Sequence, residues 1–88
     1  MNTRSRISWN LRRLRTSRNV TQEILAVDAD VDRTVISDIE RGQHNASVDL
    51  LERLTHALGC DISELFIIPA PTDAEPRPLA PGRKANDR

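Results

Sequence analysis

The segment TQEILAVDADVDRTVISDIERG, residues 21–42, contains the start and stop signals of two short helices in close succession. Thr21 and Asp32 are residue types preferred as N-caps, because their side-chain oxygens accept hydrogen bonds from the free N–H groups of a first helical turn. Gly42 supplies the left-handed conformation in which helices commonly end. The segment therefore predicts one helix that follows Thr21 and a second that follows Asp32 and stops before Gly42.

The connection between these two helices is very short. Only Ala29, Asp30 and Val31 separate them. So few residues force the helices to cross steeply, around the small side chain of Ala26 and the apolar side chain of Val31. This is the geometry of a helix-turn-helix unit.

Apolar residues at helical spacing predict further helices on both sides of this unit. The helix before it ends near residues 18–19, and its core face consists of Ile7, Leu11 and Leu14. Ser47 caps the helix after it and Gly59 closes that helix, whose core positions are Val48, Leu51, Leu54 and Leu58. Asp61 and Glu64 resemble a capping box and predict a short fifth helix from residue 62 to about residue 67. The fold class is therefore all-α, a compact five-helix domain over residues 1–68.

Residues 69–88 differ from this domain in composition. They contain all five prolines of the chain, and Leu79 is their only large apolar side chain. Such a segment cannot bury enough apolar surface to offset the entropy lost on ordering. We predict a disordered, flexible, Pro-rich C-terminal tail.

Length and composition exclude several classes of protein. A chain of 88 residues forms one small domain, and with Trp9 and Phe66 as its only aromatic residues the core must be aliphatic. Cys60 is the only cysteine and forms no metal-ligand pattern with His44 or His56. No apolar run reaches the roughly 18 residues of a membrane helix. We therefore predict a cytoplasmic protein that is not an enzyme, with no metal, no cofactor and no catalytic constellation.

Charge is balanced overall but unevenly distributed. The net charge is zero, which argues against a protein that binds polyanions without sequence preference. Residues 1–18 carry six arginines and no acid, whereas residues 19–66 carry three arginines and ten acids. This distribution predicts opposed basic and acidic faces.

The helix-turn-helix segment, with LRRLR before it and LLERLTHALGCDISELF after it, resembles the Cro/repressor-type family, also called the xenobiotic-response-element family. The resemblance covers roughly residues 5–66, and the residues in register are Gln22, Ala26, Val31, Ser37, Glu40 and Gly42. Within that family, DRTVISDIERGQHNAS looks most like the controller proteins of restriction-modification systems. Asp30, Val35 and His44 depart from the pattern, where the usual residues are Gly, Tyr and Arg.

The resemblance implies that the second helix of the unit is a recognition helix for DNA. Arg33 and Thr34 open that helix, with Val35 and Ser37 beside them. Arginine pairs bidentately with guanine, and threonine meets a thymine methyl group or a phosphate. The alternative is an ordinary solvated first turn, with Asp32 acting only as its cap.

Other residues are predicted to contact the DNA backbone. Gln22 resembles the family glutamine that binds a phosphate beside the free N–H groups of a helix start, and Thr21 directly precedes it. The residues around Gly42 are predicted to contact the backbone or a groove edge. These are Arg41, Gln43, His44 and Asn45. An ordinary helix surface and an ordinary surface loop are the alternatives.

Arg15 and Glu40 have a different predicted role. The family commonly pairs these two positions inside the domain, which fastens the first helix to the end of the recognition helix. We therefore expect a structural ion pair, with a phosphate contact by Arg15 as the alternative.

The run ISELFIIP, residues 62–69, predicts an interface. Ile67 and Ile68 directly precede a proline and cannot both be buried in so small a domain. An exposed apolar cluster often marks an interface, and the family resemblance places the dimer contact in the last helices. The predicted dimer interface consists of Leu65, Phe66, Ile67 and Ile68. The alternative is that this apolar segment folds over the first helix or is covered by the tail.

Together these features predict a homodimeric transcriptional regulator that binds the major grooves of double-stranded DNA at a near-palindromic operator. It would control its own or an adjacent operon, in a restriction-modification system or a mobile element, with RNA polymerase as a further candidate partner. The alternative function is an antitoxin or antiactivator that acts mainly through contacts with another protein.

Overall fold

The computed structural model describes residues 1–70, which form four α-helices and one 3₁₀ helix and contain no β-strand. The helices are α1 (Thr3–Ser17), α2 (Gln22–Ala29), α3 (Arg33–Glu40) and α4 (Val48–Leu58), followed by the 3₁₀ helix Ile62–Phe66. None of the helices in this part of the chain is both long and apolar enough to cross a membrane. Most of the predicted flexible tail, residues 71–88, lies outside the described residues.

The prediction of five α-helices is therefore correct for the first four and wrong for the last. The final element is a 3₁₀ helix of five residues, and the backbone is already extended at Ile67. So short a segment cannot build the successive i to i+4 hydrogen bonds of an α-helix, and the tighter 3₁₀ turn replaces them.

The predicted N-caps are confirmed. The side chains of Thr21, Asp32 and Ser47 accept hydrogen bonds from backbone N–H groups at 3.1, 3.1 and 3.0 Å, and the donors are Ile24, Thr34 and Leu50. Each of these side chains satisfies one donor that has no partner within the helix. Local chemistry thus sets where α2, α3 and α4 begin.

The turn between α2 and α3 is closed by a residue in the left-handed conformation. Asp30 has φ 57° and is the C-cap of α2. The backbone N–H of Val31 donates to the carbonyl oxygen of Ala26 over 2.9 Å. Aspartate tolerates this conformation better than most residues, so Asp30 can replace the turn glycine that is usual in the family.

One aliphatic core joins all of the helices. α1 packs against α3 and the 3₁₀ helix, and α2 packs against α3 and α4. The buried apolar side chains are Leu11, Leu14, Leu25, Ala26, Ala29, Ile36, Ile39, Leu51, Leu54, Leu58 and Leu65. α3 is therefore held from behind, by α1 on one side and α2 on the other.

A buried asparagine fastens the 3₁₀ helix to α1. Asn10 is completely buried, and its Nδ2 donates to the carbonyl oxygens of Leu65 and Ile67 over 2.9 and 2.8 Å. The chain after Leu65 is thereby held at a fixed position on α1.

Asp61 caps the 3₁₀ helix as predicted, since its Oδ2 accepts from the backbone N–H of Ser63 over 2.9 Å. Glu64 does not complete a capping box, and its carboxylate oxygen lies 3.7 Å from Arg13 Nη2.

Candidate nucleic-acid interface

The end of α3 is held to α1 by a buried ion pair. Arg15 Nε and Nη2 donate to the two carboxylate oxygens of Glu40 over 2.7 and 2.9 Å, and each side chain is 4% exposed. Arg15 Nη1 also donates to the carbonyl oxygen of Val20 over 2.9 Å. The guanidinium group of Arg15 is thus enclosed by the protein and paired with Glu40.

Gln22 extends this pair to the start of α3. Its Nε2 donates to Glu40 Oε1 over 3.1 Å, and its Oε1 accepts from Arg33 Nη1 over 3.2 Å. Both ends of the Gln22 amide are therefore engaged within the protein, a role that the sequence did not reveal. A continuous chain of hydrogen bonds leads from Arg15 through Glu40 and Gln22 to Arg33.

Arg33 and Thr34 lie at the exposed start of α3. The Arg33 side chain is 51% exposed, and its Nε lies 3.9 Å from Glu23 Oε2 on α2. Thr34 is exposed, and its backbone N–H is bound by the Asp32 cap. Both side chains are available on the side of α3 that faces away from the core.

The same outward side of α3 continues to its C-terminal end. Arg41 Nη1 donates to Ser37 Oγ over 3.0 Å, and Arg41 Nη2 pairs with Asp38 Oδ1. Val35 lies to one side, half-buried against the core. Sequence reasoning missed Asp38, although its spacing of three residues from Arg41 is the usual signal for an ion pair on a helix surface.

The loop after Gly42 presents polar side chains next to this surface. Gln43 and Asn45 are exposed and His44 is half-buried. Among residues 1–70, none of these three side chains takes part in a hydrogen bond. The loop therefore offers unengaged donors and acceptors beside the C-terminal end of α3.

An apolar surface lies at the end of the described chain. Phe66, Ile67 and Ile68 are 41%, 46% and 70% exposed. Leu65, which the sequence assigned to the dimer interface, is completely buried in the protein's own core and does not reach this surface. Val48 at the start of α4 is 69% exposed and was not identified from the sequence, because its spacing suggested a core position.

The side chains described do not form a metal centre. Within residues 1–70, no group of three or more His, Cys, Asp and Glu side chains is placed to hold a metal ion. Partial burial raises the pKa of the Cys60 thiol above that of a free cysteine. This thiol is therefore protonated and weakly nucleophilic at neutral pH.

The sequence and the fold match those of known proteins. A family model described as helix-turn-helix matches residues 11–65. The chain belongs to the helix-turn-helix family. It is 43% identical over 66 residues to the control protein C.BamHI of Bacillus amyloliquefaciens, which covers 74% of this chain and 82% of that protein.

Two other relatives are of the same kind. The control protein C.MunI of a Mycoplasma species is 40% identical over 62 residues, covering 69% of this chain and 84% of that protein. The crystal structure of the restriction-modification controller protein C.AhdI from Aeromonas hydrophila matches with a TM-score of 0.70 and 36% identity, covering 72% of this chain and 96% of that one. The resemblance to controller proteins found in the sequence is thereby confirmed.

We expect loss of the buried ion pair to destabilise the fold. Replacing Arg15 with alanine leaves the Glu40 carboxylate buried without its main partner, which costs about 3–5 kcal/mol. The free energy of unfolding can be measured by urea titration with circular dichroism. Arg53→Ala, at an exposed position of α4, is the control and should change it by less than about 0.5 kcal/mol. An Arg15→Ala protein as stable as this control would contradict the role given to the pair.

Proposed function

We propose that this chain is a sequence-specific transcriptional regulator that binds an operator as a homodimer and controls its own or an adjacent operon. Membership of the helix-turn-helix family and the controller-protein relatives support a DNA-binding regulator, a class that is normally not enzymatic. The observation that carries the proposal is the exposed start of α3, where Arg33 is joined through Gln22 to the buried Arg15 and Glu40 pair. A side chain that recognises bases must be exposed and must also be held in a fixed position.

The proposed contacts divide into two groups. Arg33 and Thr34 read base edges in the major groove, with Ser37 and the methyl groups of Val35 beside them. The remaining contacts are to the phosphate backbone or a groove edge, and they come from Thr21, Gln22, Arg41, Gln43, His44 and Asn45. Because both ends of the Gln22 amide are already engaged, a phosphate would share its Nε2 group with Glu40.

The homodimer is proposed from the apolar surface of Phe66, Ile67 and Ile68. Val48 extends this surface, and a cavity of about 370 Å³ opens between Val48 and Phe66 and could receive an apolar side chain of a second copy. Contiguous exposed apolar residues of this kind are typical of an interface. In a two-fold dimer, two α3 helices would enter successive major grooves about 34 Å apart. Residues 1–68 would then serve both DNA binding and dimerisation.

A restriction-modification locus or another mobile element is the proposed setting, since two of the relatives are control proteins and C.AhdI is a restriction-modification controller. RNA polymerase is a further proposed partner at the regulated promoter. The alternative function, an antitoxin or antiactivator, draws support from α2, where Ile24 and Val27 are 48% and 79% exposed beside acidic residues. A protein partner could use that apolar face.

The proposed function is tested by selecting duplexes from a random-sequence pool with the full chain. We expect enrichment of a near-palindromic site whose half-sites lie about one helical turn apart. Arg33→Ala carried through the same selection is the control and should lose the preferred bases. If the wild-type chain enriches no particular sequence from the pool, the proposal of a specific operator is rejected and the protein-binding alternative is favoured.

Arg33→Ala should weaken binding to the selected operator about 10- to 100-fold, because a bidentate contact to guanine contributes roughly 1–3 kcal/mol of discrimination. Affinity is measured by fluorescence anisotropy, and folding by circular dichroism. Arg53→Ala removes the same charge from α4 and should leave the preference for the operator unchanged. Wild-type affinity and base preference in a folded Arg33→Ala protein would show that Arg33 does not read the site.

The double change Ile67→Asp with Ile68→Asp should give a folded monomer, because charges on both copies oppose burial of the apolar surface. Sedimentation equilibrium measures the mass, and circular dichroism on the same sample measures helicity. Val27→Asp, on the exposed face of α2, is the matched control and should remain dimeric. A double variant that stays dimeric at micromolar concentration would move the interface elsewhere.

A further inference from the structure

Both arginines on the outward side of α3 are paired with carboxylates of the protein itself. Arg33 Nε lies 3.9 Å from Glu23 Oε2, and Arg41 Nη2 pairs with Asp38 Oδ1. The arginines are 51% and 58% exposed, so neither is enclosed as Arg15 is. The surface assigned to DNA therefore carries its own negative charges.

Each arginine also has a neutral partner that holds its direction. Gln22 Oε1 accepts from Arg33 at 3.2 Å, and Ser37 Oγ accepts from Arg41 at 3.0 Å. A carboxylate on one side and a neutral acceptor on the other restrict the rotation of each guanidinium group.

These pairs affect the two modes of DNA binding differently. Binding to DNA of any sequence is driven by free cations that contact phosphates and release counterions. An arginine already paired with a carboxylate gains less from a phosphate, and the carboxylate itself is repelled by the DNA. Nonspecific binding is weakened by both effects.

At the operator, the contact between an arginine and a guanine compensates for this loss of affinity. Guanine O6 and N7 accept two hydrogen bonds from one arginine, so an arginine that is already oriented makes the contact without a further search among side-chain rotamers. Removing the carboxylate takes away the repulsion and also the orientation. Affinity for the operator is therefore less sensitive to the carboxylates than affinity for unrelated DNA.

We propose that Glu23 and Asp38 determine the specificity of this protein by weakening the contacts of Arg33 and Arg41 with the phosphates of unrelated DNA, with Arg41 placed at a groove edge of the operator. This inference rests on the proposed DNA-binding function. The excess of ten acids over three arginines in residues 19–66 agrees with it, since a chain selected for strong nonspecific binding would carry the opposite balance.

The test uses the full chain with two single substitutions, Glu23→Gln and Asp38→Asn, each of which removes a charge and nearly preserves shape. Asp28→Asn is the matched control, because Asp28 is exposed on α2 and no side chain among residues 1–70 forms an ion pair with it. Anisotropy titrations with the selected operator and with a scrambled duplex of equal length are run between about 50 and 200 mM salt.

We expect each test variant to bind the scrambled duplex about five- to tenfold more tightly, with a steeper dependence of affinity on salt. Operator affinity should rise less than about threefold, so that the ratio of the two affinities falls. Asp28→Asn should alter that ratio by less than about twofold.

The inference and the proposed function fail in different ways. If the wild-type chain prefers its operator and both variants behave as Asp28→Asn does, the carboxylates do not set specificity and the function stands. An equal rise in affinity for both duplexes would also overturn the inference, because the carboxylates would then act through net charge alone. A wild-type chain with no preference for any duplex overturns both.

Discussion

The buried pair of Arg15 and Glu40 is the contact on which the arrangement of the helices depends. Removing two charges from water costs several kcal/mol per ion, and the cost is recovered only when every polar group finds a partner. Here the Glu40 carboxylate accepts from Arg15 and Gln22, and Arg15 also donates to the carbonyl oxygen of Val20. An apolar pair could stabilise the core as well, but it would not fix the relative orientation of the helices. The pair therefore sets how α1, α2 and α3 are oriented relative to one another.

A second buried polar contact organises the other end of the molecule. Asn10 holds the carbonyl oxygens of Leu65 and Ile67, so the chain leaves the core at a fixed place and presents Ile67 and Ile68 outward. α1 thus carries both fixing groups, Asn10 for the apolar end and Arg15 for the end of α3. In the proposed dimer, the spacing of the two α3 helices would be transmitted through this single helix.

The parts of the structure that sequence could predict are those with a local cause. Caps at Thr21, Asp32 and Ser47 act on backbone groups two or three residues away, so the residue types alone locate the starts of three helices. The roles of Asn10 and Gln22 depend on partners that are distant in the sequence, and apolar periodicity contains no information about such contacts. The extended backbone at Ile67 was missed for the same reason, because its carbonyl oxygen is held by Asn10, 57 residues earlier in the chain.

In the proposed function, the starts of α2 and α3 form the surface that meets DNA, and the apolar residues 66–68 are not part of it. Titration of uniformly ¹⁵N-labelled protein with a duplex that contains the selected operator tests this most directly, by following the backbone amide signals. We predict that the largest shifts fall on residues 21–23 and 33–38, while signals from the last turn of α4, residues 55–58, stay in place. Shifts concentrated on α4, with residues 33 and 34 unchanged, would contradict the account.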